Sequence, residues 1–441
     1  INGDSVSDLY FSGATGQTGQ FALSRGKDLY SIPGVSDSRV EETSSIFFDA
    51  DGDNDQDLLI ISGGNQFQGK TGVLNDRLYL NDGKGNFTKK VGALPAKHDN
   101  GGTCAISDVD NDGDLDIFIG NRVVSAQYGK SPDSYLLLND GQGNFSEVEN
   151  RHFDELGMVT EAVWQDLNED GYEELIVVGE WMSPTIFTNK AGELTRREVP
   201  SLEGLTGWWN CIRPVDVDND GDVDFVLGNE GLNSKLNPDQ DNPVRMYVKD
   251  FDGNGYLDQI LTYSKGGKEF PVANRDELAK QMPVIKKSFT SYGDFSGKTV
   301  GQVLSKESLE SSISLNARTF ESIVLINDGA FNFTVKALPR LAQVSPVYAI
   351  LPFDFNNDGQ MDLLTGGNRT WANTYFGAND ASYGLILLGS GNGEFTPMPA
   401  TASGLKIKGN VRSIVHYQYQ GKEYFVFGLN NDEVTAYSFN K

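Results

Sequence analysis

Short apolar runs alternate with acidic or glycine-rich loops along the chain. Cys104–Ser107 and Leu115–Ile119, for example, stand on either side of one acidic loop. Short apolar runs bounded by turn-forming residues are typical of β-strands. In several units a hairpin pattern follows, in which Asn-Asp-Gly separates two more apolar segments, and this is a strong tight-turn signal. The pattern therefore predicts units of four short antiparallel strands.

The predicted hairpins recur along the chain and set the fold class. They occupy residues 77–87, 135–145, 324–333 and 385–395. Four short strands per unit, at a spacing of about 55–60 residues, are typical of a β-propeller in which each unit forms one blade. We therefore predict an all-β fold, a single β-propeller over residues 1–441 with four-stranded blades.

The loop Asp108–Asp116 has the composition of a calcium site. Carboxylates stand at its positions 1, 3, 5, 7 and 9, and Gly113 is at position 6. Calcium takes six to eight oxygen ligands, which an acidic loop supplies. Position 6 needs a left-handed backbone, which glycine adopts at little cost, and position 7 offers its carbonyl. An EF-hand would place a glutamate at position 12, where this chain has Ile119. The sequence therefore predicts a calcium loop between two strands.

The same pattern occurs in five further loops, and glycine occupies position 6 in all but the first, which has Asn54. Six matching loops predict about six bound calcium ions. We regard the loop at 166–174, with Asn and Glu ligands, as the one whose occupancy is most open. The candidate ligands are Asp49, Asp51, Asp53, Asp55 and Asp57; Asp108, Asp110, Asp112, Asp114 and Asp116; Asp166, Asn168, Asp170, Tyr172 and Glu174; Asp216, Asp218, Asp220, Asp222 and Asp224; Asp250, Asp252, Asn254, Tyr256 and Asp258; and Asp354, Asn356, Asp358, Gln360 and Asp362.

The beginning of the chain fits the same pattern from its third position onward. Asn2, Asp4 and Asp8 correspond to positions 3, 5 and 9. They would form a seventh calcium loop if a preceding segment supplied position 1. We therefore expect the chain to be the C-terminal part of a longer protein.

The spacing of the loops changes once. The loops that begin at Asp216 and Asp250 are 34 residues apart, and the next begins 104 residues later. Val244–Lys249 fits either the first strand of a new unit or the third strand of the preceding one, which leaves seven or eight blades open. Asn274 is a suitable N-cap for a helix to Met282, and 305–311 predicts another short helix. We expect a helical insertion at 274–312.

Composition narrows the range of partners and compartments. The formal charge of −26 argues against nucleic acid and anionic membranes, whose phosphates require Lys and Arg. No apolar run is long enough to cross a bilayer. Cys104 and Cys211 fall on equivalent strands of units separated by a third, so we expect buried free thiols. Calcium loops and a short β repeat favour an exported, extracellular or outer-membrane surface protein.

The loop and the strand after it resemble the FG-GAP/VCBS repeats of integrin α-subunit propellers. The runs 47–53, 75–87, 179–182 and 207–210 are more similar to the cartilage-acidic-protein-like secreted proteins of Bacteroidota, which often carry an ASPIC/UnbV segment. The chain shows no such segment. The resemblance covers nearly the whole sequence and implies a calcium-binding propeller. It does not choose among adhesion, assembly and glycan handling.

Variable residues follow the second strand of each unit, at the end opposite the calcium loops. In a blade these turns emerge close to the axis, so we expect them to line one mouth. Aromatic and arginine side chains concentrate binding energy. The Gly-Asn steps that precede them in most units are more simply explained as turns. The candidate ligand-binding residues are Arg122, Trp181, Trp208, Trp209, Arg369 and Trp371, with Gln66 and Glu230 nearby.

Two functional interpretations remain open from the sequence. The first is a protein- or glycan-binding adhesion module, for which an outer-membrane surface complex is one setting. The second is a polysaccharide lyase or another glycan-active enzyme, in which Glu180 or Glu230 would join a carboxylate pair. The three histidines, His98, His152 and His416, lie in different units without a nucleophile pattern. We therefore name no catalytic residue and favour binding.

Overall fold

The fold is built almost entirely from antiparallel β-sheets. The computed structural model describes residues 1–4, 6–25, 28–35, 37–67, 69, 71–371 and 377–439. Within these residues the strands form eight sheets, most of them four-stranded. We number seven of them 1 to 7 in chain order and call the eighth the inserted sheet.

Sheets 1 to 4 use consecutive strands. Sheet 1 contains β1 (Leu9–Phe11), β2 (Gln20–Arg25) and β3 (Asp28–Pro33), and sheet 2 contains β4 (Glu41–Phe48), β5 (Asp57–Gly63), β6 (Arg77–Leu80) and β7 (Thr88–Lys89). Sheet 3 contains β8 (Asn100–Ser107), β9 (Asp116–Val123), β10 (Tyr135–Asn139) and β11 (Phe145–Val148). Sheet 4 contains β12 (Met158–Gln165), β13 (Glu174–Met182), β14 (Thr185–Lys190), β15 (Glu193–Arg197) and β16 (Gly207–Trp208), which pairs with β13.

The remaining sheets include one that is nested inside another. Sheet 5 begins with β17 (Cys211–Val215) and β18 (Asp224–Gly228), and the inserted sheet follows with β19 (Val244–Lys249), β20 (Asp258–Lys265), β21 (Lys268–Pro271) and β22 (Ile313–Ala317). Sheet 5 resumes with β23 (Ile323–Asn327) and β24 (Phe333–Ala337). Sheet 6 contains β25 (Val347–Phe353), β26 (Asp362–Gly367), β27 (Leu385–Gly389) and β28 (Phe395–Pro397), and sheet 7 contains β29 (Asn410–Tyr419), β30 (Lys422–Asn430) and β31 (Thr435–Tyr437).

Val244–Lys249 is therefore not the third strand of the preceding unit, because β18 pairs with β23 in that place. It starts a new sheet, as the other interpretation proposed, but this sheet lies between the second and third strands of sheet 5. Pattern alone could not distinguish these cases, since β19 and β23 are both short apolar strands.

Short helices connect β21 to β22. They are α1 (Arg275–Gln281), α2 (Val284–Ser288), α3 (Tyr292–Phe295), α4 (Val300–Val303) and α5 (Lys306–Glu310), and α6 (Ala400–Ser403) follows β28. In the part of the chain that the structure describes, four 3₁₀ turns occupy Gly72–Leu74, Arg151–Phe153, Pro200–Leu202 and Arg340–Gln343. The Asn274 side chain accepts hydrogen bonds from the N–H groups of Asp276 and Glu277, so the predicted N-cap is confirmed. The short helix predicted at 305–311 is also present.

Consecutive sheets pack face to face through separate apolar cores. Leu59 and Ile61 of sheet 2 pack with Ile117 and Leu137 of sheet 3, and similar clusters join each sheet to the next, up to sheets 6 and 7. Every residue of β5 is buried, because neighbouring sheets cover the strand on both faces. Strands covered in this way carry near-continuous apolar runs. Burial, followed by the negative charge of Asp8, raises the pKa of Tyr417, so Tyr417 on β29 lies within electrostatic range of Asp8, which precedes β1.

Two glycines of the second strands, Gly120 within β9 and Gly228 at the end of β18, serve packing rather than turn formation. A Cβ on Gly120 would lie 2.5 Å from Val159 Cγ1, and one on Gly228 would lie 2.5 Å from the Val347 carbonyl oxygen. Each contact is made with the first strand of the next sheet, and neither glycine has a positive φ. The interpretation of Gly-Asn as a simple turn is therefore wrong at these positions.

The two cysteines are buried free thiols, as predicted. Cys104 lies in the core between sheets 2 and 3, and Cys211 in the core between sheets 5 and 6. They are thus on equivalent first strands that are far apart along the series of sheets.

Candidate functional site

The acidic loops occupy equivalent places in six sheets. Each loop connects the first strand of its sheet to the second strand, as Asp108–Asp116 does between β8 and β9. The six loops span 49–57, 108–116, 166–174, 216–224, 250–258 and 354–362.

Backbone hydrogen bonds fold every loop around its first and fifth side chains. The carboxylate at position 1 accepts from the N–H at position 6, as Asp108 does from Gly113 at 3.0 Å, and this contact occurs in all six loops. The side chain at position 5 accepts from the N–H at position 7, as Asp112 does from Asp114 at 3.0 Å. These short-range contacts explain why nine residues are enough to specify the loop.

Two positions in each loop have a left-handed backbone. Position 6 does so as predicted, with φ of 98° at Gly113 and 68° at Asn54. Position 4 does so as well, which the sequence analysis did not predict. Asparagine tolerates this conformation and occupies position 4 in several loops, with φ of 60° at Asn111. Gly52 and Gly253 occupy this position in two further loops, and Glu169, with φ of 57°, is the one residue there that is neither asparagine nor glycine.

The carboxylate at position 9 joins the loop to the rest of its sheet. Asp116 is 2% exposed and accepts from the N–H of Val109 within the loop at 2.9 Å and from the N–H of Asn139 on β10, also at 2.9 Å. Asp57, Asp224 and Asp362 make the same pair of contacts in sheets 2, 5 and 6. A ligand at this position would therefore tie three strands together.

The donor set fits a hard divalent cation. In four loops, three carboxylates each place an oxygen within 4.8 Å of the others. Among the described residues, buried carboxylate oxygens at position 3 of three loops lack a hydrogen-bond partner: Asp51 Oδ1, Asp110 Oδ1 and Asp218 Oδ1. A buried oxygen without a donor is costly, and an oxygen-preferring ion would satisfy all three.

The two loops with asparagine at position 3 are arranged differently. Asn168 Nδ2 donates to Glu174 Oε1 at 2.9 Å, and Asn356 Nδ2 donates to Asp358 Oδ2 at 2.8 Å. Each amide therefore presents its nitrogen where a metal would need oxygen. A half-turn of the amide would exchange the two atoms.

The electrostatics of the loops also favour a cation. Burial raises the pKa of Asp57, Asp116 and Asp224 to about 6 and that of Glu174 to about 7, and neighbouring carboxylates add to the shift. Asp250 differs, because the N–H of Gly255 and other backbone donors lower its pKa. A divalent cation would compensate the crowded negative charge.

Asn2, Asp4 and Asp8 keep the internal contacts of the loop pattern. Asn2 Oδ1 accepts from the N–H of Asp4 at 3.1 Å, and Asp4 Oδ1 accepts from the N–H of Val6 at 3.0 Å. Asp8 Oδ1 accepts from the N–H of Ser24 on β2 at 2.8 Å, as position 9 does elsewhere. Their role as calcium ligands stays a prediction.

A polar cluster lies where the second strands end, away from the acidic loops. Its first pair joins sheets 3 and 4, where Arg122 Nη2 donates to Glu180 Oε1 at 2.6 Å and Tyr128 Oη donates to Glu180 Oε2 at 2.8 Å. Burial alone would raise the pKa of Glu180, but Arg122 outweighs it and holds this pKa below its usual value. The Arg122 side chain remains 49% exposed.

The second pair joins sheets 5 and 6. Arg369 Nη2 donates to Glu230 Oε1 at 2.5 Å, and Asn379 Nδ2 donates to the same oxygen at 3.0 Å. Burial raises the pKa of Glu230 to about 7, although Arg369 opposes the shift. Glu180 and Glu230 repel each other, which places the two pairs in one cluster.

A third arginine enters the cluster from sheet 7. The Arg412 guanidinium lies over the Tyr348 ring at 3.9 Å, and its Nη1 donates to the carbonyl oxygens of Asn368 at 3.1 Å and Val411 at 2.8 Å. Burial, followed by repulsion from Arg122 and Arg369, lowers the pKa of Arg412. We call these residues the arginine cluster: Arg122, Tyr128, Glu180, Glu230, Tyr348, Arg369, Asn379 and Arg412.

The tryptophans of the predicted binding surface have different environments. Trp209 is fully buried between sheets 4 and 5 and donates to the Leu205 carbonyl, so it does not fit a surface role. Trp181 is 7% exposed, packs on Trp208 with ring centroids 5.1 Å apart and donates to Tyr128 Oη. Trp371 is 72% exposed. Trp208 is half-buried, so Trp371 is the most exposed of these four tryptophans.

Half of the arginine cluster is identifiable from the sequence. Arg122, Glu180, Glu230 and Arg369 come together as members of the post-strand turns, while Gln66 instead donates to Thr15. Tyr128, Tyr348, Asn379 and Arg412 were missed, because they lie on first strands or long connections that carry no repeated motif. Ala372–Phe376, next to Trp371, lie outside the described residues.

Comparisons with known proteins support the repeat. Residues 49–119 and 166–227 match the FG-GAP-like repeat, and these ranges contain the first four acidic loops. The chain is similar to the V. cholerae biofilm matrix protein Bap1 at 10% identity and a TM-score of 0.35, covering 96% of this chain and 85% of that one. It is similar to the exotype rhamnogalacturonan lyase YesX at 13% identity and a TM-score of 0.32, covering 95% and 79%. No curated protein matches the sequence. No helix among the described residues is long and apolar enough to cross a membrane.

Proposed function

We propose that this chain is a calcium-stabilised β-propeller that binds a protein or glycan at the arginine cluster, outside the cell or on its surface. Six acidic loops with equivalent hydrogen bonding, matched in part by the FG-GAP-like repeat, support the calcium sites. Extracellular modules bind calcium at roughly 0.1–1 mM, which suits an exported protein. We also propose that the chain is related to the cartilage-acidic-protein-like proteins of Bacteroidota.

The packing order of the sheets supports a ring of seven blades. Each sheet packs on the next from sheet 1 to sheet 7, and Tyr417 of sheet 7 lies within electrostatic range of Asp8, which precedes β1. The inserted sheet and α1–α5 would then be an outgrowth of the fifth blade rather than an eighth blade, and the insertion would be larger than the segment 274–312.

The arginine cluster is the observation that carries the binding function. It gathers charged side chains from sheets 3, 4, 5, 6 and 7, including the solvent-exposed Arg122 and the partly exposed Arg369. Several paired charges are expensive to desolvate, so they are weak evidence for stability alone. A ligand site near the axis of a propeller is lined by side chains from several blades, and the side chains of this cluster come from five sheets.

The second candidate function is a glycan-cleaving activity that uses Glu180 or Glu230. A lyase needs a general base whose pKa is close to the working pH. Burial raises the pKa of Glu230 to about 7, which meets this need, whereas the pKa values of Tyr128 and Tyr348 are raised above the ordinary value. Both glutamates are nevertheless held in ion pairs, by Arg122 and by Arg369, so binding without cleavage is the function that the geometry favours.

The test is a binding assay with immobilised glycans and native surface proteins, at constant calcium. We expect Arg122→Gln to weaken binding by about tenfold or more, because a charge-assisted contact is lost. Arg196→Gln, an exposed substitution on β15, is the matched control and should bind like the unchanged protein. Binding that survives Arg122→Gln would move the site elsewhere. Unsaturated products released from polyanionic glycans, detected by ultraviolet absorbance, would favour the lyase.

A further inference from the structure

We infer that Arg412 is the carboxylate-recognising residue of the arginine cluster and that the ligand is an acidic saccharide carrying uronate groups. This inference rests on the proposed binding function and narrows its ligand class. It depends on three features of the cluster: its charge balance, the free donors of Arg412 and the polar character of its lining.

The charge balance of the cluster differs from that of the chain. The chain has a formal charge of −26, whereas the cluster contains three arginines and two glutamates. Arg122 and Arg369 are each paired with one glutamate. Within the described part of the chain, Arg412 has no carboxylate partner, so one positive charge remains uncompensated.

The hydrogen bonding of Arg412 leaves donors for a ligand. Its Nη1 is committed to the carbonyl oxygens of Asn368 and Val411. The hydrogen bonds that Arg412 makes to described residues all use Nη1, and the buried Arg369 Nε lacks a described partner. Stacking on Tyr348 fixes the guanidinium plane. A planar guanidinium held in this way can bind a carboxylate through two parallel hydrogen bonds.

The lining of the cluster favours a saccharide over a protein surface. Its members are arginine, glutamate, tyrosine and asparagine, which can hydrogen-bond sugar hydroxyl groups. The core of a protein interface is instead depleted in charged residues, glutamate among them, whereas this cluster contains two glutamates. Trp371, which is 72% exposed and two residues beyond Arg369, adds one aromatic face on which a sugar ring could stack.

The experiment compares two saccharides of equal length by calorimetric titration of the full chain with calcium. A galacturonate oligosaccharide should bind and a neutral galactose oligosaccharide should not. Arg412→Gln should weaken galacturonate binding by about tenfold to a hundredfold. Arg412→Lys should retain part of it, because the charge remains while the paired donors are lost. Arg196→Gln should have no effect, and higher salt should weaken binding.

The outcomes separate this inference from the proposed function. Equal binding of the neutral oligosaccharide, or unchanged galacturonate binding in Arg412→Gln, would overturn the inference. An acidic peptide that binds this site in preference to galacturonate would also overturn it, while leaving the proposed function in place. If Arg122→Gln binds all surface ligands like the unchanged protein, the proposed function fails as well. Melting temperatures measured with calcium identify any variant that merely fails to fold.

Discussion

The backbone N–H of Asn139 donates a 2.9 Å hydrogen bond to the buried carboxylate of Asp116. Asp116 closes an acidic loop, and Asn139 ends the third strand of the same sheet. One carboxylate thus joins a candidate calcium ligand set to a strand far along the sequence. Calcium binding and the stability of the sheet should therefore be coupled.

Asp116→Asn tests this coupling. The substitution keeps the size of the side chain but weakens two charge-assisted hydrogen bonds and removes one anionic ligand. We expect about 2–4 kcal/mol less unfolding free energy in calcium and the loss of one bound ion. Denaturant titration and calcium calorimetry measure the two effects. Asp241→Asn, an exposed change outside the loops, is the control. Unchanged stability and stoichiometry would exclude a structural ion at this loop.

The pH dependence of stability should change sign with calcium. Without calcium, burial raises the pKa of Asp57, Asp116 and Asp224 to about 6 and that of Glu174 to about 7. Unfolded carboxyl groups ionise near pH 4, so ionisation disfavours the folded state, and lowering the pH from about 7 toward 4 should raise the melting temperature in chelator. With calcium, protons compete with the ion, and the same change should lower the melting temperature. Thermal scans in both buffers measure this, and equal signs would contradict it.

Truncation of Trp181 should destabilise the protein strongly, whereas truncation of Trp371 should have little effect on its stability. Trp181 is 7% exposed and packs on Trp208, so Trp181→Ala should cost about 3–5 kcal/mol of stability. Trp371 is 72% exposed, so Trp371→Ala should change stability by less than about 0.5 kcal/mol. Chemical denaturation separates the two. Equal effects would mean that the packing of Trp181 contributes little.

The thiols should report on the calcium-dependent opening of the sheets. Burial raises the pKa of Cys104 and Cys211 to about 12, and the thiolate is the reactive form. Labelling by a thiol reagent should therefore be slow in calcium and faster after chelation. Cys104→Ser leaves only Cys211 and assigns the rates to separate cores. Rapid labelling of both thiols in calcium would show that the cores open without metal loss.

Local features of this protein could be predicted from the sequence. The acidic loops were identified because their contacts lie within nine residues, as between Asp108 and Gly113. The hairpins and the Asn274 cap followed for the same reason. An N-cap or a tight turn is decided by a few adjacent side chains and their preferred backbone angles.

The tertiary structure decided which distant residues meet. Arg412 contacts Tyr348 and Asn368 although neither is close in sequence, and no motif marks these three residues as a group. Burial likewise separated Trp209 from Trp371, which look equivalent in the sequence. The nesting of β19–β22 inside sheet 5 depended on β18 pairing with β23. Strand pairing and side-chain burial depend on the whole set of sheets, because each core is completed only by the neighbouring sheet.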